Sequence, residues 1–423
     1  MEQRLYQGCI QILKEELVPA LGCTEPIAIA YAAAKARDVL GSMPEHIIVK
    51  CSGNIVKNVK GVIVPTTGDM RGIETSAVLG AVAGNPEGKL EVLEGVTKED
   101  VELTKEYLKK KICEVQIIHG VSNLQIIVVA TKEKERVEVE ICEDHTNIIR
   151  IEKNGENLLP VPTANKEDKK RGIVQELTLD LIYNFVNSVY IDEIKDILDR
   201  QIKYNMKIAE EGLTHSYGAN VGKTILKTYG KDVKMLAKAY PAAGSDARMG
   251  GCTLPVIINS GSGNQGMTVS LPVIIYAKHL EVSDEMLYRA LAFSNLIAVH
   301  LKSGIGKLSA YCGVVSAACG SGAAITYLHQ APLETISKTI TNVLGNVSGI
   351  VCDGAKSSCA AKIASAVDAA IMGHYMAMED NTFGVGEGLV KENVELTINT
   401  ICKMGRDGMK QTDEEILNLM IHS

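Results

Sequence analysis

Leu308–Leu328, LSAYCGVVSAACGSGAAITYL, and Asn342–His374, NVLGNVSGIVCDGAKSSCAAKIASAVDAAIMGH, carry two cysteine pairs in runs made mostly of Ala, Gly, Ser and Val. Cys312 and Cys319 are seven residues apart, and so are Cys352 and Cys359. If both segments are helical, the members of each pair stand two turns apart on one face, ~10 Å along the axis. That is beyond the reach of a disulfide. It suits thiols that converge from different helices on something larger than a zinc ion. By spacing alone it suits small buried core residues equally well, because free cysteine packs as a small hydrophobe. Either way, the small side chains let helix backbones approach closely or leave room for a guest.

The rest of the composition agrees with closely packed helices. The chain has 423 residues, enough for two domains with full cores. Hydrophobic residues make up 46%, yet there is no Trp and only three Phe, so Ala, Val, Ile and Leu must build the interior. A formal net charge of −7 argues against a nucleic acid or an anionic membrane as partner, since both call for a clustered positive face. The short basic run Lys109–Lys111 has acids on both sides and reads as a solvated helix end. The opening MEQRLYQGCIQILKEEL is an amphipathic helix with charges throughout, unlike a signal peptide, and no stretch approaches the ~20 apolar residues of a membrane span. Eleven cysteines without an export signal argue against a disulfide framework and for a reducing, cytoplasmic setting.

Upstream, LGCTEPIAIAYAAAKARDVLG reads as a helix with Thr24 as N-cap and Gly41 as stop, which puts Cys23 just before a helix N-terminus. There the backbone N–H groups and the helix dipole would favour a thiolate. From His46 the character changes to alternating, β-branched runs: HIIVKCSGNIVKNVKGVIVP, CEVQIIHGVSNLQIIVVATKEKERVEVEIC and NIIRIEKNGENLL. They read as antiparallel strands, with GDMRGIETSAVLGAVAG and TKEDVELTKEYLKKK as covering helices. Cys51, Cys113 and Cys142 fall in these strands and read as core. PVPTANKEDKKRG from Pro160 has the look of a linker, and the remainder is helical almost to the end. The expected architecture is α+β: a mainly helical domain over 170–423 joined by the helices of 1–42, with an inserted α/β lobe over 43–160 that contains an antiparallel sheet.

The run Tyr311–Cys319 followed by GSGAA, then Val351-Cys352-Asp353-Gly354 with Cys359 downstream, resembles the cluster-binding region of the iron–sulfur L-serine dehydratases. Together with Leu21–Pro26, LGCTEP, and the NSGSGNQG loop, it is similar to the L-cysteine desulfidase branch of that group. The resemblance covers nearly the whole chain. It implies a [4Fe–4S] cluster held by three cysteines, Cys312, Cys352 and Cys359, with one iron open as a Lewis acid on the substrate's β-substituent. The last two ligands are more widely spaced in the dehydratases than here, and Cys319 is a second candidate for the first ligand. The resemblance also implies a functional Cys23, either the base for the Cα proton or a resting-state ligand to the fourth iron. The reaction so implied is β-elimination of L-cysteine to hydrogen sulfide, ammonia and pyruvate; a soft leaving thiolate matches a soft iron site. The same chemistry on L-serine, a pyridoxal-phosphate β-eliminase, and a non-catalytic Fe–S sensor or scaffold are the alternatives.

Three glycine-rich loops interrupt the helical part, at 242–251, 259–267 and 302–312. The middle one, NSGSGNQGM, is similar over a short stretch to the asparagine loop that holds the substrate carboxylate in pyridoxal-phosphate β-eliminases. Its small donors Ser260, Ser262, Asn264 and Gln265 on a glycine-rich backbone would make a nest for an amino acid's carboxylate. Asn54 and Asn58, with Lys57, are polar in an apolar run and could reach the same carboxylate, although a solvated strand face also explains them. His215 and His300 are the histidines nearest these loops, and no HExxH, GxSxG or Walker pattern is present. The expected partner is a small amino acid; a homo-oligomer is left open.

Overall fold

The structure is a computed structural model that describes residues 1–159 and 172–421. The proposed linker from Pro160 lies outside the described residues apart from its last glycine. The chain opens with α1 (Gln3–Glu16), a short β1 (Pro19–Leu21) and α2 (Thr24–Leu40). Gly41 ends α2 as expected, in a left-handed conformation with its N–H on the carbonyls of Arg37 and Asp38. The N-cap is Cys23, and Thr24 is the first helical residue.

The lobe that follows contains β2 (His46–Ser52), α3 (Gly53–Val59), α4 (Ile73–Ala83), α5 (Lys98–Lys109), β3 (Cys113–Ile118), β4 (Gln125–Lys132), β5 (Glu135–Cys142), β6 (Ile148–Lys153) and β7 (Glu156–Asn157). Its six strands run in the order β3-β2-β4-β5-β6-β7. The sheet is mixed rather than antiparallel, because β2 and β3 pair in parallel, Ile47 opposite Cys113. Three helices separate these two strands in sequence, and a parallel pair needs such a crossover. The stretch after Ser52 also departs from the expected strand. Its apolar Ile55 and Val59 are four apart and both fully buried, so they make one helical face as α3. α2 lies across β4 and β5 and against α4.

The rest is helical: α6 (Leu179–Ser188), α7 (Lys195–Thr214), α8 (Val221–Tyr229), α9 (Val233–Met249), a short β8 (Pro255–Ile257), α10 (Gly263–His279), α11 (Asp284–Ile305), α12 (Gly313–Leu328), α13 (Leu333–Val347), α14 (Cys359–Met378), α15 (Val394–Lys403) and α16 (Lys410–Ile421). No described helix is long and apolar enough to cross a membrane. At the centre is α12, packed on α10, α11, α13 and α14, with every residue after Gly313 buried. Its small residues permit this. A Cβ on Gly320 would stand 2.4 Å from the Ser294 carbonyl oxygen of α11.

The same device joins α2 to α4, where a Cβ on Gly80 would lie 2.3 Å from the Ala30 oxygen. The backbones cannot part without opening the core of the lobe. Gly80→Ala is therefore expected to destabilise the protein by about 1–3 kcal/mol, as overpacking does, read as a lower midpoint in urea unfolding. An unchanged midpoint would mean that the contact yields.

Two connections position the site. β1 and β8 form an antiparallel pair, Pro19 opposite Ile257, with the Ile258 N–H continuing the ladder onto the Val18 carbonyl. This lays the LGCTEP turn beside the NSGSGNQG loop. A single antiparallel bridge between Tyr311 and Val351 lays the entry to α12 beside the segment ahead of α14.

Candidate active site

Cys312 is the N-cap residue of α12, and its N–H donates to the Ile350 carbonyl at 3.1 Å. Cys352 donates its N–H back to the Ala310 carbonyl at 2.6 Å, so the two cysteines sit on neighbouring extended segments. The chain then turns at Gly354, which has φ +94° and lies against α3: a Cβ there would be 2.3 Å from the Lys57 oxygen. Only glycine meets both conditions. The turn delivers Cys359 as the first residue of α14. The seven-residue interval from Cys352 to Cys359 is thus a loop and not two helical turns.

Cys312 stands close enough to Cys352 and Cys359 for its thiol to feel both. Burial, and then the neighbouring Cys352 and Cys359, push the Cys312 thiol up to about 12. Cys359 is raised by burial with Cys352 as a further cause. Cys319 lies inside α12, facing α13, with the Ile340 carbonyl 4.0 Å from its Sγ, and its thiol is raised by burial alone. Among the described residues no three His, Cys, Asp or Glu side chains close on a point that would hold a single ion.

Cations flank the thiols. Lys302 of α11 is buried; burial pulls its ammonium down to about 8, against the favourable influence of Cys352 and Cys312. Lys57 of α3, 2% exposed, donates to the Cys352 carbonyl at 3.3 Å and to Asp413 of α16 at 2.5 Å. Asp353 holds Lys356 at 2.6 Å and also pairs with Lys362.

On the other side stands Cys23, packed with Val62, Met249, Ala355 and Cys359. Its Sγ–H donates to Glu25 Oε2 at 3.0 Å. Glu25 also accepts from Asn58 Nδ2 at 2.9 Å, and His145 Nε2 is 3.7 Å from it, within ion-pair distance but too long for a hydrogen bond. Burial would raise the Glu25 carboxyl, but His145 and the Cys23 thiol hold it at about 2. The thiolate expected of Cys23 is not favoured here. Burial and the adjacent Glu25 carboxylate raise its thiol well above the usual range, and Arg248 offsets only part of this. A helix dipole, worth ~0.3–1 kcal/mol when exposed, does not outweigh full desolvation beside a carboxylate.

Ser260, Ser262, Asn264 and Gln265 come together at the start of α10. Ser260 has φ +49° and donates to Asn259 Oδ1 at 2.9 Å; Ser262 is the N-cap residue without a side-chain cap bond. Asn264 Oδ1 accepts from Arg248 Nη1 at 3.1 Å, and Arg248 Nε donates to the Gly22 carbonyl at 2.9 Å. The Gln265 amide lies against Gly313, next to Cys312; a Cβ there would meet its atoms within 2.7 Å. Thr24 Oγ1 donates to the Gly261 carbonyl at 2.9 Å, and Gly261 in turn lies against His145. Asn58 therefore joins this group through Glu25, whereas Asn54 turns away: its Nδ2 donates to Asp413 at 2.7 Å and it lines a separate cavity of about 520 Å³. A larger cavity of about 1130 Å³ reaches the group at His145, Ser260, Gly261 and Lys302. His300 pairs with Glu395 and His215 with Glu211, and neither belongs to the site.

Four helices thus begin here, α2 at Cys23, α10 at Ser262, α12 at Cys312 and α14 at Ser358, none with a side-chain cap bond. The N–H groups and dipole at a helix start favour anionic guests. Asn58 Oδ1, Gln265 Oε1 and His145 Nε2 belong to residues more than nine-tenths buried and have no hydrogen-bond partner among the described residues. Clustered thiols, flanking cations and uncapped helix starts form a donor set that fits a thiolate-bound iron–sulfur cluster. Sequence reading passed over Glu25, His145, Arg248 and Lys302. A signal existed for two of them: Arg248 interrupts the small-residue run AAGSDARMGG, and Lys302 is the basic residue in the last turn of an otherwise apolar helix end.

The family model of the serine dehydratase alpha chain matches residues 87–418. A UPF0597 protein of Lachnoclostridium phytofermentans is 54% identical, over 99% of this chain and 100% of its own length. UPF0597 proteins of Finegoldia magna and Treponema denticola are 48% and 46% identical, over 97% and 100% of this chain and 98% and 99% of theirs.

Proposed function

Because the chain belongs to the serine dehydratase alpha chain family, a family of lyase-type enzymes associated with iron–sulfur clusters, we propose that it is a [4Fe–4S]-dependent β-eliminase of small amino acids, with L-cysteine as substrate. The observation that carries this reading is the meeting of Cys312, Cys352 and Cys359 with Cys23 at four uncapped helix starts. Cys312, Cys352 and Cys359 would hold the cluster. When bound, it would supply an open iron acting as a Lewis acid on the β-substituent.

The remaining steps belong to the chain. The substrate carboxylate is received at the start of α10 by Ser260, Ser262, Asn264 and Gln265. Cys23 removes the Cα proton. Its own thiol proton must first be given up to solvent; the Glu25 carboxylate, held at about 2, accepts the thiol's hydrogen bond and orients it. Loss of the Cα proton and departure of the β-thiol as sulfide leave aminoacrylate, which adds water and releases ammonia and pyruvate. L-serine is the second reading, favoured by the name of the family model.

The test is purification without oxygen, iron content and the visible spectrum, then release of sulfide from L-cysteine compared with pyruvate from L-serine. Cluster-loaded protein that releases sulfide supports the reading. An absorbance band abolished by borohydride would indicate pyridoxal phosphate instead, and a cluster without turnover of either amino acid a sensor or scaffold. Within this scheme Asn264→Ala is expected to raise KM about tenfold, the size of one charge-assisted contact, with iron content unchanged. A neutral result would move the carboxylate to the loops at 242–251 or 302–312.

A further inference from the structure

Arg248 is 2% exposed, and among the described residues no carboxylate lies within ion-pair distance of it. Its guanidinium is held by two neutral oxygens, the Gly22 carbonyl and Asn264 Oδ1. A buried cation with no acid is costly to maintain, and the surrounding chain nevertheless shapes itself around this one. A Cβ on Gly263 would fall 2.5 Å from Arg248 Nε, so any larger residue there would displace the guanidinium. By giving its oxygen to Arg248, Asn264 keeps its amide N–H groups for another acceptor. Gly263 and Asn264 are also the first two residues of α10, a helix of 17 residues whose N-cap side chain makes no cap bond. Fixed charge, amide donors and helix start coincide, and Arg248 is bonded to Gly22, the residue before Cys23.

The geometry points to Arg248 as the anchor for the substrate's α-carboxylate, the specificity-determining residue that restricts this site to carboxylate-bearing substrates. This rests on the reading of the site as an amino-acid eliminase and adds to the four small donors the one full positive charge among them. Planar guanidinium and carboxylate match in two parallel hydrogen bonds. The bonds from Nε to Gly22 and from Nη1 to Asn264 fix the fork and leave Nη2 and the second Nη1 hydrogen for the ligand.

The test uses two fragments of cysteine, 3-mercaptopropionate, which keeps the carboxylate and lacks the amine, and cysteamine, which keeps the amine and lacks the carboxylate. Binding of each to the full chain is measured by calorimetry without oxygen, for wild type, Arg248→Gln and Arg248→Lys, together with the melting temperature of each protein. The expected result is that Arg248→Gln weakens 3-mercaptopropionate at least tenfold, leaves cysteamine within a factor of about two, and that Arg248→Lys recovers part of the loss. Equal weakening of both fragments with a lower melting temperature would assign Arg248 to support of the Gly22 turn and overturn the proposal. Unchanged binding of 3-mercaptopropionate, or none in the wild type, would overturn it as well. If Arg248-dependent binding holds but neither L-cysteine nor L-serine is turned over, the carboxylate site stands and the eliminase reading fails.

Discussion

Protein carrying Cys352→Ala, purified without oxygen, is expected to lose nearly all its iron and the broad visible absorbance of a cluster, and with them all measurable elimination. A thiolate removed from a three-cysteine set leaves an iron that only water can fill, and cluster stability follows the thiolate count. The substitution is well suited to the question because it spares the local fold. Cys352 holds its place through the main chain, its N–H on Ala310 and its carbonyl on Lys57. Alanine keeps both bonds. Cys312→Ala and Cys359→Ala are expected to behave alike, since both stand in the same thiol group as Cys352. Cys319→Ala is the control: it faces α13, and should keep the iron while lowering the melting temperature. Full iron in Cys352→Ala, or its loss in Cys319→Ala with Cys312→Ala unaffected, would overturn this ligand set.

Cys23→Ser is expected to keep iron and melting temperature and to lose sulfide release by about 10²-fold or more, the usual effect of removing a positioned base. Serine preserves shape and can still donate to Glu25, so the packing with Val62 and Met249 survives. It cannot supply an effective base, because a hydroxyl surrenders its proton far less readily than a thiol. The measurement is iron content and anaerobic turnover on the same preparation. Near-normal turnover would reduce Cys23 to packing. Joint loss of iron and activity would make it the fourth ligand, in keeping with the packing of Cys359 against the group of Cys23, Val62 and Met249, and the base would then have to be sought elsewhere.

The pattern of small residues in α10, α12 and α14 was legible because its consequence is local: where Gly and Ala recur, backbones can touch, as Gly320 does with α11. The cysteine motifs were legible as a family resemblance and not as geometry. Helix α3 departs from the expected strand because its β-branched Ile55, Val56 and Val59 continue the run of β2, while the burial of Ile55 and Val59 on one face is a tertiary fact. The parallel pairing of β2 with β3 was hidden for a related reason: strand direction is set by the path of the three helices between them.

What the chain determines by itself, then, is the material of the site: thiols, small donors, glycine turns, and helices able to pack without large side chains. Tertiary structure alone decides which of these meet. Cys312 rather than Cys319 faces Cys352 because α12 begins at Gly313 and carries Cys319 inward. Arg248 and Glu25 reach one another's neighbourhood because β1 pairs with β8 across more than two hundred residues of chain. Neither is written in local periodicity, since a hydrogen-bonded ladder between distant segments depends on the closure of everything between them.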